Sequence, residues 1–412
     1  MLLAAQAHGG DSMHTGRYLI TYKEGAQDAG MKAMKAMNMR TADARDFDDQ
    51  AVYVANVGDA DLLNFPEIGV ALVSGSAFEA NGMSTQDEIA SDSPMQTVEP
   101  EYFVFAEGST SDYLRGFLSA VEAIKRDLGG SGADADADAE EVDARVLGVT
   151  WGLRACKVPP SVRSGAGIRV AVLDTGMDLG HPDFVGRAFA TNTFVGQPVQ
   201  DLHSHGTHCI GTACGPLAPR GATPRYGIAH RSVIFVGKVL TNSGSGTTAS
   251  VLAGMNWAIA NRCTVISMSL GSQAPVQAAY TAAGQAALNS GCLVVAAAGN
   301  ETMNTGAPAN SPTIFAVASL DLSLAPSSFS NFGKIEIAAP GRDVFSSVPR
   351  PTRYGTKSGT SMATPHVAGC AALWAETSPN LRGASLWARL LATARPLPFA
   401  AARVGRGLVQ AP

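Results

Sequence analysis

The sequence has no apolar run approaching a membrane span, no strong charge of either sign and few cysteines. A bilayer-crossing helix needs about 20 consecutive apolar residues, so a membrane partner is not expected. The formal net charge is −5, which gives no reason to expect nucleic acid or an anionic membrane as a partner. Six cysteines (Cys156, Cys209, Cys214, Cys263, Cys292 and Cys370) are sparse for 412 residues. Cys209 and Cys214 have no second pair at a matching interval, so no metal-ligand pattern is present. Buried thiols are expected, with a disulfide or two as the alternative. The opening MLLAAQAHGGDSMHTGR has a short apolar stretch and no basic region before it, a poor secretory signal. The two readings are a start after a removed signal and a protein that stays inside the cell.

What is present points to a large α/β core. A chain of 412 residues exceeds one average domain, and two units are expected. Hydrophobic residues make up 46% and charged residues 16%, enough apolar material for an extensive interior. The 44 glycines lie beside apolar runs and suit tight strand-to-helix turns.

After an N-terminal tail, 1–16, residues 17–107 read as a small α+β unit. RYLITYK, AVYVANV, IGVALVSG and EYFVFAE have strand character, and AQDAGMKAMKAMNM reads as a helix between the first two. Residues 108–148 change character. SDYLRGFLSAVEAIKRDL has helical apolar spacing and runs into GGSGADADADAEEVDA, which lacks the glycine and distant glutamate of a calcium loop and reads as a solvated linker. From 149 to 412 the pattern alternates. IRVAVLD, SVIFVGKVL, CTVISMSLG, CLVVAAAGN and TIFAVASL are almost wholly apolar, as strands buried on both faces of a parallel sheet are. TASVLAGMNWAIAN and VQAAYTAAGQAALNSG are helical candidates between them. The predicted fold class is α/β, a mostly parallel sheet with helices on both faces, preceded by a small α+β unit. Ligands of such sheets bind at the C-terminal strand ends.

Four residues at those ends carry chemical potential. Asp174 closes IRVAVLD and is able to orient a histidine, or equally to cap a helix or fix a turn. In HSHGTHCIG, His203, His205 and His208 compete, and spacing does not choose among them. Ser361 precedes PHVAGCAALWAE, read as an apolar helix with proline in its first turn. At a helix N-terminus a serine meets free N–H groups that favour developing negative charge, but it is more often a cap than a nucleophile. Asn300 closes LVVAAAGN, where its amide suits either an oxyanion or an Asx turn.

Taken jointly, VLDTGMD, HGTHCIG, AAAGN and GTSMATPHVAG resemble the motifs of subtilisin-like serine peptidases, in the order Asp, His, Ser that this family uses. The resemblance spans roughly 149–395, and HGTHC leans toward the proteinase K branch. It implies Asp174, His205 and Ser361 as the catalytic triad, His208 as structural, and Asn300 with the Ser361 N–H as oxyanion donors. It implies Ser243, Gly244, Ser245 and Gly246, with Ser269, Leu270 and Gly271, as two edges that hold an extended protein or peptide substrate. Ala297, Ala298, Gly299 and Gly306 match the first specificity pocket and carry no charge, so apolar or aromatic side chains are expected there; the competing reading is that these small residues only serve sheet packing.

No cofactor is implied for the chemistry, but structural calcium is. Asp183 in HPDF matches one ligand, although the partner loop CGPLAPRGATPRYGIA brings no Asn or Asp. The Pro312 and Ile314 carbonyls with Glu336 match a second position; by itself Glu336 reads as an ordinary surface carboxylate. Residues 17–107 resemble the family's inhibitory propeptides. That implies a ferredoxin-like fold covering the active site, its C-terminal tail in the cleft, and cleavage between about Glu107 and Val149. A secreted monomer made as a self-inhibited zymogen follows from the same resemblance. The rival from another class is a non-catalytic binding protein on a protease scaffold. An esterase reading fails because no G-x-S-x-G surrounds Ser361.

Overall fold

The computed structural model describes residues 13–54, 59–83, 85, 92–106 and 148–412. Of the predicted linker, all but residue 148 lies outside the described residues. No helix among those described is long and apolar enough to cross a membrane.

The first unit runs β1 (His14–Tyr22), α1 (Gln27–Ala36), β2 (Thr41–Asp43), β3 (Leu62–Phe65), β4 (Val70–Val73), α2 (Gly75–Ala80) and β5 (Met95–Ala106). Its strands lie in the order β5-β1-β4-β3-β2, antiparallel except for β2 with β3. The four longer strands and two helices make the β-α-β-β-α-β arrangement of ferredoxin-like folds. One expectation fails here. AVYVANV forms no strand over its described residues 51–54, although Val52 and Val54 are buried and Tyr53 is exposed. That alternation comes from packing without a ladder. The partner strand is LLNF, a run too short before Pro66 to stand out.

This sheet is covered on both faces. Ile20, Leu62, Ala71 and Val73 pack with Met34 and Phe78 of α1 and α2. Their strand neighbours Leu19, Leu63, Val70 and Leu72 face the other way, into a cluster shared with the second unit.

The second unit continues α3 (Trp151–Ala155), β6 (Arg169–Asp174), β7 (Phe189–Thr193), α4 (His205–Cys214), β8 (Val233–Lys238), β9 (Ser245–Thr247), α5 (Thr248–Ala260), β10 (Val265–Met268), β11 (Leu270–Gly271), α6 (Ala278–Asn289) and β12 (Leu293–Ala297). It ends with β13 (Phe315–Leu320), β14 (Ile337–Pro340), β15 (Val344–Ser347), β16 (Tyr354–Lys357), α7 (Thr360–Thr377), α8 (Gly383–Thr393) and α9 (Ala401–Val404). Seven strands form one parallel sheet, β14-β13-β12-β10-β6-β8-β7. In β6, Val170 and Val172 point to the cluster containing α4, α7 and α8, and Ala171 and Leu173 to that containing α5 and α6. Two-sided burial is why these strands read as unbroken apolar runs.

Helix α5 buries all its residues except Ala260, because it lies between the parallel sheet and the first unit's sheet. A helix enclosed on both sides has no polar face to show. The first unit also reaches the helix ends. Glu99 accepts from the backbone N–H groups of Ala278 (2.9 Å) and Ala279 (2.7 Å) at the start of α6. Glu101 is fully buried; it accepts from Ala249 N (3.0 Å) in the first turn of α5 and from Arg17 Nε (2.6 Å). Carboxylates at these positions meet unpaired N–H groups and the positive end of each helix.

Replacing Glu101 by Ala is expected to loosen the first unit by about 2 kcal/mol, the scale of a hydrogen bond to a charged group. Hydrogen exchange of the β1 and β5 amides, measured on the full chain with Ser361→Ala, should then speed up by roughly 30-fold. Unchanged exchange would show that Glu101 does not hold the units together.

Candidate active site

Strand β6 delivers Asp174 at its C-terminal end, where the side chain is buried. Its Oδ1 accepts from Thr175 N (2.7 Å) and lies 2.8 Å from His205 Nδ1; Oδ2 lies 3.0 Å from the same nitrogen. A carboxylate has no proton to offer, so Nδ1–H donates and Nε2 is left as the basic nitrogen. Nε2 is buried and has no hydrogen-bond partner among the described residues.

His205 opens α4, and the turn before it is unusual. Ser204 takes a left-handed φ of 79°, costing about 1–2 kcal/mol for a non-glycine residue. The buried Asp201 offsets that cost. Its Oδ1 accepts from His203 N, Ser204 N and Thr175 Oγ1, each at 2.9 Å, and its Oδ2 from Thr207 N (2.9 Å) and Thr207 Oγ1 (2.7 Å). Thr175 Oγ1 in turn accepts from Gly206 N at 2.9 Å. One carboxylate thereby ties the end of β6 to the start of α4. Sequence reading missed Asp201 and Thr175. An Asp just ahead of a helix start is a capping signal, and it was available in QDLHSHGTH. Gly206 leaves room for backbone rather than for the imidazole: a Cβ there would meet the Gly176 carbonyl oxygen at 2.3 Å.

Burial alone would lower the His205 imidazole, but the Asp174 carboxylate outweighs it and holds the group well above its ordinary 6.5. Burial would raise Asp174; the charge and hydrogen bond of His205 bring it below its ordinary value. His208 behaves as a structural residue. It is buried, its Nε2 lies 2.9 Å from the Val344 carbonyl oxygen, and burial pushes its pKa down to about 3. His203 is half-buried, with its ring 6.1 Å from that of His205.

Ser361 is the second residue of α7. Pro365 lies in the second turn rather than the first and cannot donate to the carbonyl four residues back, that of Ser361. Ser269 Oγ supplies a replacement donor at 2.7 Å, joined by Cys209 Sγ at 3.6 Å. Ser361 Oγ itself donates to the Ser269 carbonyl at 3.2 Å, and no hydrogen bond to His205 is formed. Asn300 Oδ1 accepts from Thr360 N (2.8 Å) and Thr360 Oγ1 (3.1 Å), which turns the amide Nδ2 the other way. A Cβ built on Gly359 would sit 3.4 Å from that Nδ2 and 3.6 Å from Ser361 N. Two N–H donors therefore converge beside Gly359.

The end of β5 lies between two edges. Phe103, Val104 and Phe105 pair antiparallel with Thr247, Gly246 and Ser245 of β9, while Phe105 and Ala106 pair with Gly271 and Leu270 of β11. Ala106 N also donates to the Gly244 carbonyl at 2.8 Å. Ser243 lies in the exposed turn instead, and Ser269 turns toward Ser361. Ala297 ends β12, and it and Ala298, Gly299 and Gly306 beyond the strand are all buried. Close packing explains two of them: a Cβ on Gly299 would meet Asn331 Nδ2 at 2.1 Å, and one on Gly306 the Ser272 carbonyl oxygen at 2.4 Å. The six cysteines are all free and buried.

Of the predicted calcium ligands, Asp183, Glu336 and the Ile314 carbonyl already accept hydrogen bonds from the protein. Asp183 accepts from Arg220 N (2.9 Å), Tyr226 OH (2.7 Å) and Tyr354 OH (3.0 Å), so donors from the protein already fill its oxygens. Glu336 is not an ordinary surface carboxylate. Its Oε2 accepts from Ala316 N (2.6 Å) and Lys334 Nζ (2.8 Å), and Lys334 Nζ also donates to the Ile314 carbonyl.

Comparison with known proteins agrees with this arrangement. The subtilase family model matches residues 165–407. The chain belongs to the subtilase family. It is 38% identical over 273 residues to subtilisin of Bacillus pumilus, covering 63% of this chain and 96% of that one. Subtilisin E of Bacillus subtilis (strain 168) is 37% identical over 287 residues, 67% of this chain and 73% of its own. An alkaline protease of Alkalihalobacillus alcalophilus is 37% identical over 338 residues, 80% and 85% respectively. This subtilase is a serine endopeptidase.

The Asp174–His205 pair sets a pH expectation. In the Ser361→Ala chain, nitrogen-15 NMR should follow His205 titrating at a midpoint above 6.5, with the neutral ring gaining as pH rises through it. Asp174→Asn removes the charge that favours the imidazolium, so the midpoint should fall. An unmoved midpoint would mean that Asp174 does not control the ring.

Proposed function

We propose that the second unit, 149–412, hydrolyses peptide bonds through Asp174, His205 and Ser361, and that 17–107 is its intramolecular inhibitor. The observation that carries this reading is the strand Phe103–Ala106 held between β9 and β11 beside Ser361. An extended substrate is to add to the same two edges, its main chain supplying the hydrogen bonds.

In the proposed reaction the Ser361 side chain rotates from the Ser269 carbonyl toward His205 Nε2. Oγ attacks the scissile carbonyl carbon as its proton passes to Nε2, and Asp174 stabilises the imidazolium formed. The oxyanion accepts from Asn300 Nδ2 and Ser361 N. Collapse breaks the C–N bond, His205 returns the proton to the leaving amine, and an acyl-enzyme on Ser361 remains. Water, deprotonated by His205, then releases the acid. Asn300 oriented by Thr360 supports the oxyanion role, because a preorganised donor needs no rearrangement as charge develops. Asn300→Ala is expected to lower kcat by roughly 10²–10³, the loss that the same kind of donor shows in subtilisin itself. A kcat within threefold of wild type would remove Asn300 from that role.

The finer assignments follow from the same site. The uncharged Ala297, Ala298, Gly299 and Gly306 favour apolar or aromatic residues before the scissile bond. Carboxylate caps from Glu99 and Glu101 on α6 and α5 support a first unit that folds against the enzyme and stays until cleaved. Cys209 after His208 fits the proteinase K branch. Secretion as a monomer is the accompanying expectation.

The deciding experiment compares the full chain with its Ser361→Ala variant by mass spectrometry after incubation. Wild type should cut itself between about residues 107 and 149 while the variant stays whole, and a fluorophosphonate should label Ser361. Equal cleavage of both, with no label on Ser361, would sink the proposed mechanism. A labelled chain that never cuts itself would instead make the first unit a lasting inhibitor.

A further inference from the structure

Lys334 and Glu336 sit between the last turn of the Asn331 loop and the start of β14. Their side chains retain 27% and 15% of their exposure, too little to leave either charge to solvent. Lys334 Nζ donates to the Ile314 carbonyl, just before β13, and to Glu336 Oε2 at 2.8 Å. It also lies 5.8 Å from the centroid of the Trp387 ring, on α8. Glu336 Oε2 is anchored by Ala316 N at 2.6 Å, and the Trp387 ring is packed edge-on to Phe315 at 4.8 Å.

We propose that the Lys334 ammonium is a built-in cation, joining β13, β14 and α8 at a position whose oxygens would otherwise attract a divalent metal, and that this place binds no calcium while Lys334 is present. The geometry is that of an ammonium site. A carbonyl oxygen and a carboxylate oxygen suit either kind of cation. The indole face separates them, since its quadrupole attracts an organic ammonium at this distance but offers no lone pair to a hard ion. The ammonium and a metal ion cannot share the two oxygens. Burial acts against both charges, pushing Lys334 down and Glu336 up, so each needs the other. Removing the ammonium leaves the Ile314 and Glu336 oxygens without their cation, and an added metal is then the available replacement. The inference does not depend on the catalytic assignments.

The test uses the full chain carrying Ser361→Ala, which prevents self-cleavage, with melting followed in calcium and in chelator. Lys334→Ala should lower Tm in chelator by roughly 5 °C or more, the scale of a broken buried pair in a domain of this size. Calcium should restore part of that loss, and adding Glu336→Gln should abolish the restoration. Terbium excited through tryptophan should emit from the Lys334→Ala chain in a way that Glu336→Gln removes. Unchanged Tm in Lys334→Ala, or a Tm loss that calcium does not relieve, would overturn the proposal. If Lys334→Ala does not fold, the parent decides. Calcium response or terbium emission of the parent that Glu336→Gln removes would show a metal already bound and refute the inference. A parent whose metal responses are untouched by Glu336→Gln supports it.

Discussion

Burial of both faces of the seven-stranded parallel sheet is the constraint on which the rest depends. A strand covered on both sides must be apolar along its whole length, so polar residues are pushed to its ends. Asp174 stands at the end of β6 and Asn300 just beyond β12 for this reason. The helices that cover the sheet begin near the same edge, and α4 and α7 bring His205 and Ser361 to it. The site is thus a by-product of how the core is closed, with the chemistry placed where apolar packing stops.

Holding those four residues still takes a second set of polar contacts. Asp201 fixes the left-handed Ser204 and the Thr175 hydroxyl together, so that the carboxylate and the imidazole share one rigid turn. Pro365 works differently. By withholding a helical hydrogen bond it frees the Ser361 carbonyl, which Ser269 and Cys209 then engage across the domain. Thr360 holds the Asn300 amide by donating its N–H and hydroxyl to Oδ1. In each case buried polar side chains meet backbone groups at a helix start, and the functional group there loses its freedom to turn.

The first unit extends this logic outward. Helices α5 and α6 are enclosed between two sheets, and their N-terminal N–H groups are met by Glu101 and Glu99 from β5. The same strand continues between β9 and β11. Anchoring at the helix ends and pairing with β9 and β11 are therefore mechanically linked: a strand fixed by Glu99 and Glu101 reaches these two edges in a set register.

Much was legible in the sequence because it rests on local periodicity. The apolar runs of β6, β8, β10, β12 and β13 announce a doubly covered sheet, and the four motifs at their ends carry the family resemblance. Strand β3 was hidden, since LLNF is short and AVYVANV imitates a strand by alternating burial alone. Which of three histidines faces Asp174 was undecidable from spacing, as all three lie within six residues and only the fold at the start of α4 separates them. The surroundings of the expected cation positions were hidden for a related reason. Sequence displays which residues own oxygens, but not which donors arrive to meet them. Tyr226, Tyr354 and Arg220 reach Asp183 from 37 or more residues away, and Lys334 reaches Ile314 across the sheet edge. Local pattern determined the elements and the residue types at their ends. Long-range contacts decided which partner each buried polar group found, because that choice is set by three-dimensional proximity rather than by order along the chain.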